Sequence, residues 1–393
     1  MNKLVKLQLG EAVTYSTKRV ALKDVPLQNY VTTDNLLQNK AGVTEATNLP
    51  PNSKNVSKYE NGHILVSNIR PYLKKIWFAN REGGCSADVL NLEVREGFDP
   101  MFVYYSIFGD DFFDHMMKGA KGSKMPRGDK QQILTYQIPN ITIQEQQTIV
   151  SVLSTLDAKI ELNNKIVAEL ESLAKTIYEY WFIQFDFPDE NGRPYKSSGG
   201  KMVWSEALKK EIPEGWEVKK VGDLVDVKRG KNITRKTVVE GDIPVIAAGL
   251  EPSCYHNVSN TSSPVITVSG SGANAGYIQL HYKEIWASDC SYIDQTMFSQ
   301  IHFMYLFLRS KQNEVYDMQK GSAQPHVYPQ DIMDIKVLVD KELKMISRFE
   351  TLVVSLYKQI GKSKVQNQKL IDLRDWLLPM LMNGQVSIKD KIS

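Results

Sequence analysis

Residues 149–181, IVSVLSTLDAKIELNNKIVAELESLAKTIYEYW, place apolar side chains at alternating steps of four and three: Ile149, Leu153, Leu156, Ile160, Val167, Leu170, Ala174, Ile177 and Trp181. That spacing keeps one stripe on one face of a helix, so it predicts a long helix that hides the stripe against another helix. The same rhythm returns 200 residues later at Phe349, Val353, Leu356, Ile360, Leu370, Leu377 and Leu381. Polar residues interrupt both seams near the middle: Asn163 in the first, and Ser363, Asn367 and Arg374 in the second. Buried polar positions in a paired helix cost stability but fix register and partner choice. A single such helix would suit a hairpin inside an ordinary domain. Two copies in matching phase, each closing an irregular β-rich segment, point instead to a duplicated module.

Working outward, residues 1–141 read as short strands and turns. GHILVSNI (62–69) is apolar and β-branched, KKIWFAN (74–80) follows, and ADVLNLEV (87–94) alternates. One aromatic helix is expected after Pro100, then a Gly- and Lys-rich loop (118–130) and a strand ending at Pro139. Thr142 with Glu145 three residues on has the form of a capping box, opening a first long helix over 142–185. Pro and Gly in FDFPDENGRPYKSSGG stop that helix and make 186–215 a linker. A second β-rich domain spans 216–340, a second long helix 341–384 and a tail 385–393. The second half retraces the first: LGEAV (9–13) matches VGDLV (221–225), and Asp88 matches Asp289. Lys121, Gly122, Ser123 and Pro126 match Lys320, Gly321, Ser322 and Pro325. The offset drifts from 212 at the start to 199 before the helix and 200 within it. The helices are locked in phase while the β-rich parts differ in length and in nearly all their residues. The expected fold class is α+β, with one scaffold carrying two different surfaces.

At 393 residues the chain is too long for one core and suits two domains with connecting elements. A formal net charge of +3 permits nucleic-acid binding without requiring it. Cys85, Cys254 and Cys290 are odd in number and widely spaced, against a disulfide framework or a zinc site and in keeping with a reducing cytosol. No signal segment and no apolar run long enough to span a bilayer is found, so a cytoplasmic protein with no membrane partner is expected.

The spacings that carry catalysis are missing. GSGANA (270–275) fits a dinucleotide pattern, but GYIQLHYKEIW continues as a strand, and a pyrophosphate needs a helix N-terminus there. NLPP (48–51) is not the Asn/Asp-Pro-Pro-aromatic signature of amino-methyltransferases, and the six histidines lack metal-ligand spacing. Neither a catalytic residue nor a metal site is assigned, and the expectation is a binding protein.

Positive charge is concentrated locally, in Lys118, Lys121, Lys124, Arg127 and Lys130, and again in Lys219, Lys220, Lys228, Arg229, Lys231, Arg235 and Lys236. NIRPYLKK adds Asn68, Arg70, Lys74 and Lys75. Clustered Lys and Arg neutralise phosphates, while Arg, Asn, Gln and Ser on loops read base edges. At one such loop Gln324, His326 and Tyr328 replace Met125, Arg127 and Asp129, as two different sequence readers would require. The candidate DNA contacts are Asn68, Arg70, Lys74, Lys121, Lys124 and Arg127 in the first module. In the second they are Lys228, Arg229, Lys231, Asn274, Gln324 and His326.

ILVSNIRPY (64–72), YWFIQFDFP (180–188), GRPYKSSGGKMVWSEALKKEIPEGW (192–216) and LLPMLMNGQV (377–386), in that order and in a duplicated setting, carry a resemblance. Over nearly its full length the chain resembles the specificity subunits of type I restriction–modification systems. The resemblance implies two tandem target recognition domains, each reading one half of a split double-stranded DNA site. It implies that the long helices pair as an antiparallel coiled coil, around which two methyltransferase (modification) subunits dock, and that restriction/translocase subunits join through the complex. S-adenosylmethionine, ATP and Mg are then expected on the partner subunits and no cofactor on this chain. The alternative is a non-catalytic scaffold whose two modules bind proteins and whose coiled coil dimerises it; an enzyme with an unrecognised site ranks last.

Overall fold

The computed structural model describes residues 5–234, 236–321 and 324–386; Arg235, Ser322 and most of the 385–393 tail lie outside the described residues. The chain divides into two units, and the divisions fall inside the long helices. One unit holds Met1–Leu162 with Gln366–Ser393, the other Asn163–Val365.

In the first unit a four-stranded antiparallel sheet runs in the order Val13–Tyr15, Val89–Val94, Ile64–Ser67, Ile76–Phe78. One face carries Ile64, Val66, Ile76, Leu90 and Leu92 into a core with Phe102, Val103, Phe112 and Phe113. The other face carries Leu65, Trp77 and Val89 against Val31, Tyr59 and Cys85 of a second sheet. Both faces are therefore covered. Val89–Val94 shows four consecutive buried residues in place of the alternation expected of it. Asn91 is tolerated there because its amide donates to the Lys58 carbonyl (2.7 Å) and its Oδ1 lies 2.8 Å from His63 Nδ1. The aromatic stretch after Pro100 forms two helices, Pro100–Ser106 and Asp110–Lys118. Gly109 breaks it, at a point where a Cβ would meet Asp111 Oδ1 at 2.4 Å.

The second unit repeats the four-stranded sheet as Lys228–Arg229, Cys290–Asp294, Val265–Ser269, Ile278–His281. It also repeats the short pair that precedes each long helix: Trp216–Lys220 with Lys336–Asp340 stands for Lys6–Gln8 with Gln137–Pro139. The segment after GSGANA is the strand Ile278–His281, as its sequence requires. Burial pushes the His281 imidazole down to about 4, with Lys364 adding to the effect. The folded ring is thus neutral where the unfolded chain, with its ordinary value of 6.5, takes up a proton. Between those values the unfolded state binds more protons, so stability is complete above about pH 6.5 and is lost as pH falls toward 4. Urea titrations of the chain across that window are expected to show a loss of roughly 2–3 kcal/mol, and His281→Gln is expected to flatten the profile.

The first long helix, Ile143–Tyr178, opens at the expected cap. Thr142 N donates to Glu145 Oε2 (2.9 Å), and Glu145 N donates to Thr142 Oγ1 (3.3 Å). It passes into a π segment, Glu179–Ile183, that turns Trp181 and Phe182 inward. The second long helix spans Lys344–Met382. Every seam residue, including Ile149, Leu153, Leu156, Ile160, Asn163, Val167, Leu170, Ile177, Phe349, Val353, Leu356, Ile360, Leu370 and Leu377, is buried or half-buried. In the first unit Ile149 and Leu153 share a core with Leu378 and Leu381, while Asn367 Nδ2 donates to the Ile160 carbonyl at 3.3 Å. In the second, Phe349 packs on Trp181 (5.8 Å between rings) and Lys364 pairs with Glu171 at 2.8 Å. In each unit numbers rise along one helix as they fall along the other, so the pairing is antiparallel. Tyr178, Ile346, Tyr357 and Leu378 are also buried although off the strict seam. Each helix packs against its module as well as its partner, which widens the apolar face beyond a two-helix stripe.

Residues 186–215 are more than a linker. Asp186 accepts from the amide (2.7 Å) and hydroxyl (2.6 Å) of Ser197, and the Phe187 ring lies between Tyr195 (4.7 Å) and Trp216 (5.2 Å). A hairpin, Met202–Ser205 with Lys210–Pro213, follows. Phe187 and Ile212 belong to the core of the second unit, which the Pro and Gly content of the segment concealed.

Candidate nucleic-acid interface

The best-defined part of the candidate interface is a frame that occurs once in each module. In the first, Asn68 N donates to the Asp88 carbonyl (2.9 Å), Arg70 N to Pro126 O (2.8 Å), and Gly128 N to Asn68 O (3.1 Å). Lys121 and Arg127 exchange both main-chain bonds at 2.9 Å, closing a loop over 121–127. In the second, Gly270 N donates to Asp289 O (3.0 Å), Gly272 N to Pro325 O (3.0 Å), and Lys320 and His326 exchange bonds of 3.0 and 2.9 Å. Gly122 and Gly321 both adopt left-handed backbone, at φ +96° and +95°. A Cβ on either would face the carbonyl oxygen three residues on, Met125 at 3.3 Å or Gln324 at 3.0 Å. That is the physical reason the glycine recurs in both copies.

On this frame the candidate residues fall into three groups. Arg70, Lys121, Lys124 and Arg127 in the first module, and Lys228, Arg229, Lys231 and Gln324 in the second, are exposed. Arg127 Nη2 lies 2.9 Å from Asp88 Oδ1, and Arg229 Nη2 lies 3.5 Å from Asp289 Oδ1. Lys121 stays 85% exposed, 3.8 Å from Asp129. Lys74 forms a second group by itself. Its ammonium lies 2.5 Å from Asp110 Oδ2, and Lys40 takes the other oxygen at 2.9 Å. Those hydrogen bonds, Lys74 first, hold the Asp110 carboxyl below the usual carboxylate range despite its partial burial. Lys74 thus ties the turn at 70–74, whose two ends Arg70 and Lys74 are left-handed, to helix Asp110–Lys118, through a carboxylate it shares with Lys40.

Asn68, Asn274 and His326 form the third group, set into the frame. Asn68 Oδ1 and His326 Nδ1 are buried with no hydrogen-bond partner, and a Cβ on Gly128 would come within 2.9 Å of the former. Asn274 is half-buried and its carbonyl accepts from Tyr277 N at 2.9 Å. The His326 ring stacks beside exposed Tyr328 at 5.9 Å.

Asp88 and Asp289 were not among the sequence candidates. Their match between the two copies was the available signal. Burial raises the Cys85 thiol to about 11 and the Cys290 thiol to about 12, so both are protonated at neutral pH. No group of His, Cys, Asp and Glu suited to a metal ion occurs among the described residues, and no helix there is long and apolar enough to cross a membrane.

Comparison with known proteins gives consistent results. The family model for the type I restriction modification DNA specificity domain matches twice, over residues 6–172 and 213–339. The chain is 26% identical to the type I restriction enzyme MjaIX specificity subunit of Methanocaldococcus jannaschii, over 76% of this chain and 72% of that one. It is 23% identical to the HindI specificity subunit of Haemophilus influenzae, over 96% and 98%. In fold it is similar to the crystal structure of a type I restriction–modification S subunit from M. genitalium, with a TM-score of 0.61, 18% identity and 97% of each chain covered.

Proposed function

Because the chain belongs to the family of type I restriction–modification specificity subunits, we propose that its two modules each read one half of a bipartite DNA target. The observation that carries this reading is the repeated frame with exchanged side chains: the same main-chain bonds present Arg127 in one module and His326 in the other. Phosphate contacts by exposed lysines set position on the duplex, and side chains at the frame supply sequence. The paired helices serve as a spacer and as the surface on which two modification subunits dock, and translocase subunits join through the complex. Methyl transfer from S-adenosylmethionine and ATP- and Mg-dependent cleavage then belong to those partners, in the cytoplasm where the DNA is. The target adenine leaves the stack into a partner's pocket, since chemistry on a base needs it extruded.

A salt-titrated binding experiment on the complex with its partner subunits tests this. If six to ten phosphates are neutralised, affinity for DNA is expected to fall by about 10³–10⁵ between 50 and 200 mM salt. A residual preference of about 10³ or more for one bipartite sequence over random DNA is expected throughout. Binding that ignores salt and sequence would favour the scaffold that recognises proteins.

A further inference from the structure

The two aspartates at the frame are matched in position, yet the arginines that meet them come from different places in the chain. Asp88 is met by Arg127, from the loop after helix Asp110–Lys118. At that loop position the second module has His326, and Asp289 is met instead by Arg229, from the strand Lys228–Arg229. The first module has Thr17 where the repeat's starting offset of 212 places Arg229. One arginine has been exchanged for another across a constant carboxylate.

The exchange is backed by the surrounding contacts. Gly230 N donates to the Cys290 carbonyl at 2.8 Å, and a Cβ there would strike Ser288 O at 2.2 Å, so only glycine lets this strand pass close enough to set Arg229 beside Asp289. Asp289 Oδ2 accepts from Ser271 Oγ, and the Arg229 guanidinium lies 5.9 Å from the Tyr328 ring. Both arginines use Nη2 toward the carboxylate, and their side chains remain 59% and 47% exposed. Exposed ion pairs contribute little to stability, so stability does not explain why a pair is rebuilt from a new chain position. A carboxylate beside one Nη of a guanidinium reduces its rotamer freedom and leaves the other donors of the fork unused. A fork of donors held that way matches the O6 and N7 acceptors of guanine in the major groove.

We infer that Arg127 and Arg229 each read a guanine, one in each half of the target, and that Asp88 and Asp289 are the positioning residues that aim them. This rests on the modules being half-site readers. The test is selection from a randomised duplex library by the complex assembled with its partner subunits, scored base by base. The wild-type motif is expected to hold a guanine in each half. Arg127→Ala is expected to lower the preference for guanine at one position of one half by about 5- to 150-fold, leaving the other half unchanged. Arg229→Ala is expected to do the same in the opposite half. Arg127→Lys keeps the charge without the fork, so it is expected to lose the guanine preference and keep the salt dependence. Asp88→Asn is expected to loosen that same base position, Asp88→Glu to restore part of it, and Asp88→Asn with Arg127→Ala to be no worse than Arg127→Ala. Uniform weakening on all sequences with a shallower salt dependence in Arg127→Ala would mark a phosphate contact and overturn the inference. So would a wild-type motif without guanine in either half. A wild-type complex that selects no motif would overturn the half-site reading as well.

Discussion

Replacing residues 1–141 with the corresponding segment of a relative of different specificity is expected to change one half of the methylated DNA motif and leave the other half as it was. The two modules repeat a main-chain frame while nearly all their side chains differ, so the surface is free to vary on a constant support. Each wrong base pair costs about 1–3 kcal/mol, so several in one half-site remove the original motif from detection. The structure adds a condition on the graft. Phe102, Tyr105 and Ile107 share a core with Ile149, Leu153, Leu378 and Leu381, and the Tyr105 hydroxyl donates to Asp157 Oδ2 at 2.6 Å. Asp157 also pairs with Arg374 at 2.9 Å, where the Arg374 side chain is only 13% exposed. A donor module lacking the tyrosine removes a hydrogen bond from the Asp157 carboxylate, whose ion pair with Arg374 is partly buried. Chimeras that keep the three aromatic and aliphatic contacts are expected to assemble. Mapping of methylated adenines in cells supplying the partner subunits reads the result, and alteration of both halves would show that the modules do not read independently.

A second large effect is expected from lengthening the helices. One heptad added to each long helix, at the facing positions near Ile160 and Asn367, extends both by about 10 Å. If the helices act as the spacer along the duplex, the half-site sequences are expected to persist while the unread gap grows by about three base pairs. Overall affinity is expected to fall, because those base pairs also rotate the second half-site by about 100° around the duplex. The antiparallel pairing dictates that both helices change together. A heptad in one alone would prevent the Asn367–Ile160, Arg374–Asp157 and Lys364–Glu171 contacts from all forming. That single insertion is expected to lose assembly, detectable as a lowered melting temperature and loss of partner subunits on size analysis. An unchanged gap in an active double insertion would rule out the helices as the ruler.

The recurring Lys-Gly pair, the capping box at Thr142 and the four-three rhythm of the seam were legible in the sequence because each expresses a local constraint. A left-handed turn needs glycine, a helix start needs an acceptor, and one face of a helix needs a repeat that matches its turn. Periodicity of that kind also made the duplication visible, since the helices keep phase while the modules drift. What tertiary structure alone decided are the pairings between residues distant in the chain. Arg374 finds Asp157 across 217 positions, which turns an apparent flaw in the seam into a matched pair. Lys74 carries a charge like its neighbours, but its ammonium is engaged by Asp110, which it shares with Lys40, and nothing in NIRPYLKK says so. Likewise, the Pro- and Gly-rich 186–215 stretch reads as a tether until Phe187 is seen between Tyr195 and Trp216. Strand Val89–Val94 departs from alternation because a second sheet, drawn from residues 19–85, covers the face that would have met water. Composition and spacing record what a segment must satisfy by itself; burial, charge pairing and the aim of an arginine depend on which distant atoms arrive beside it.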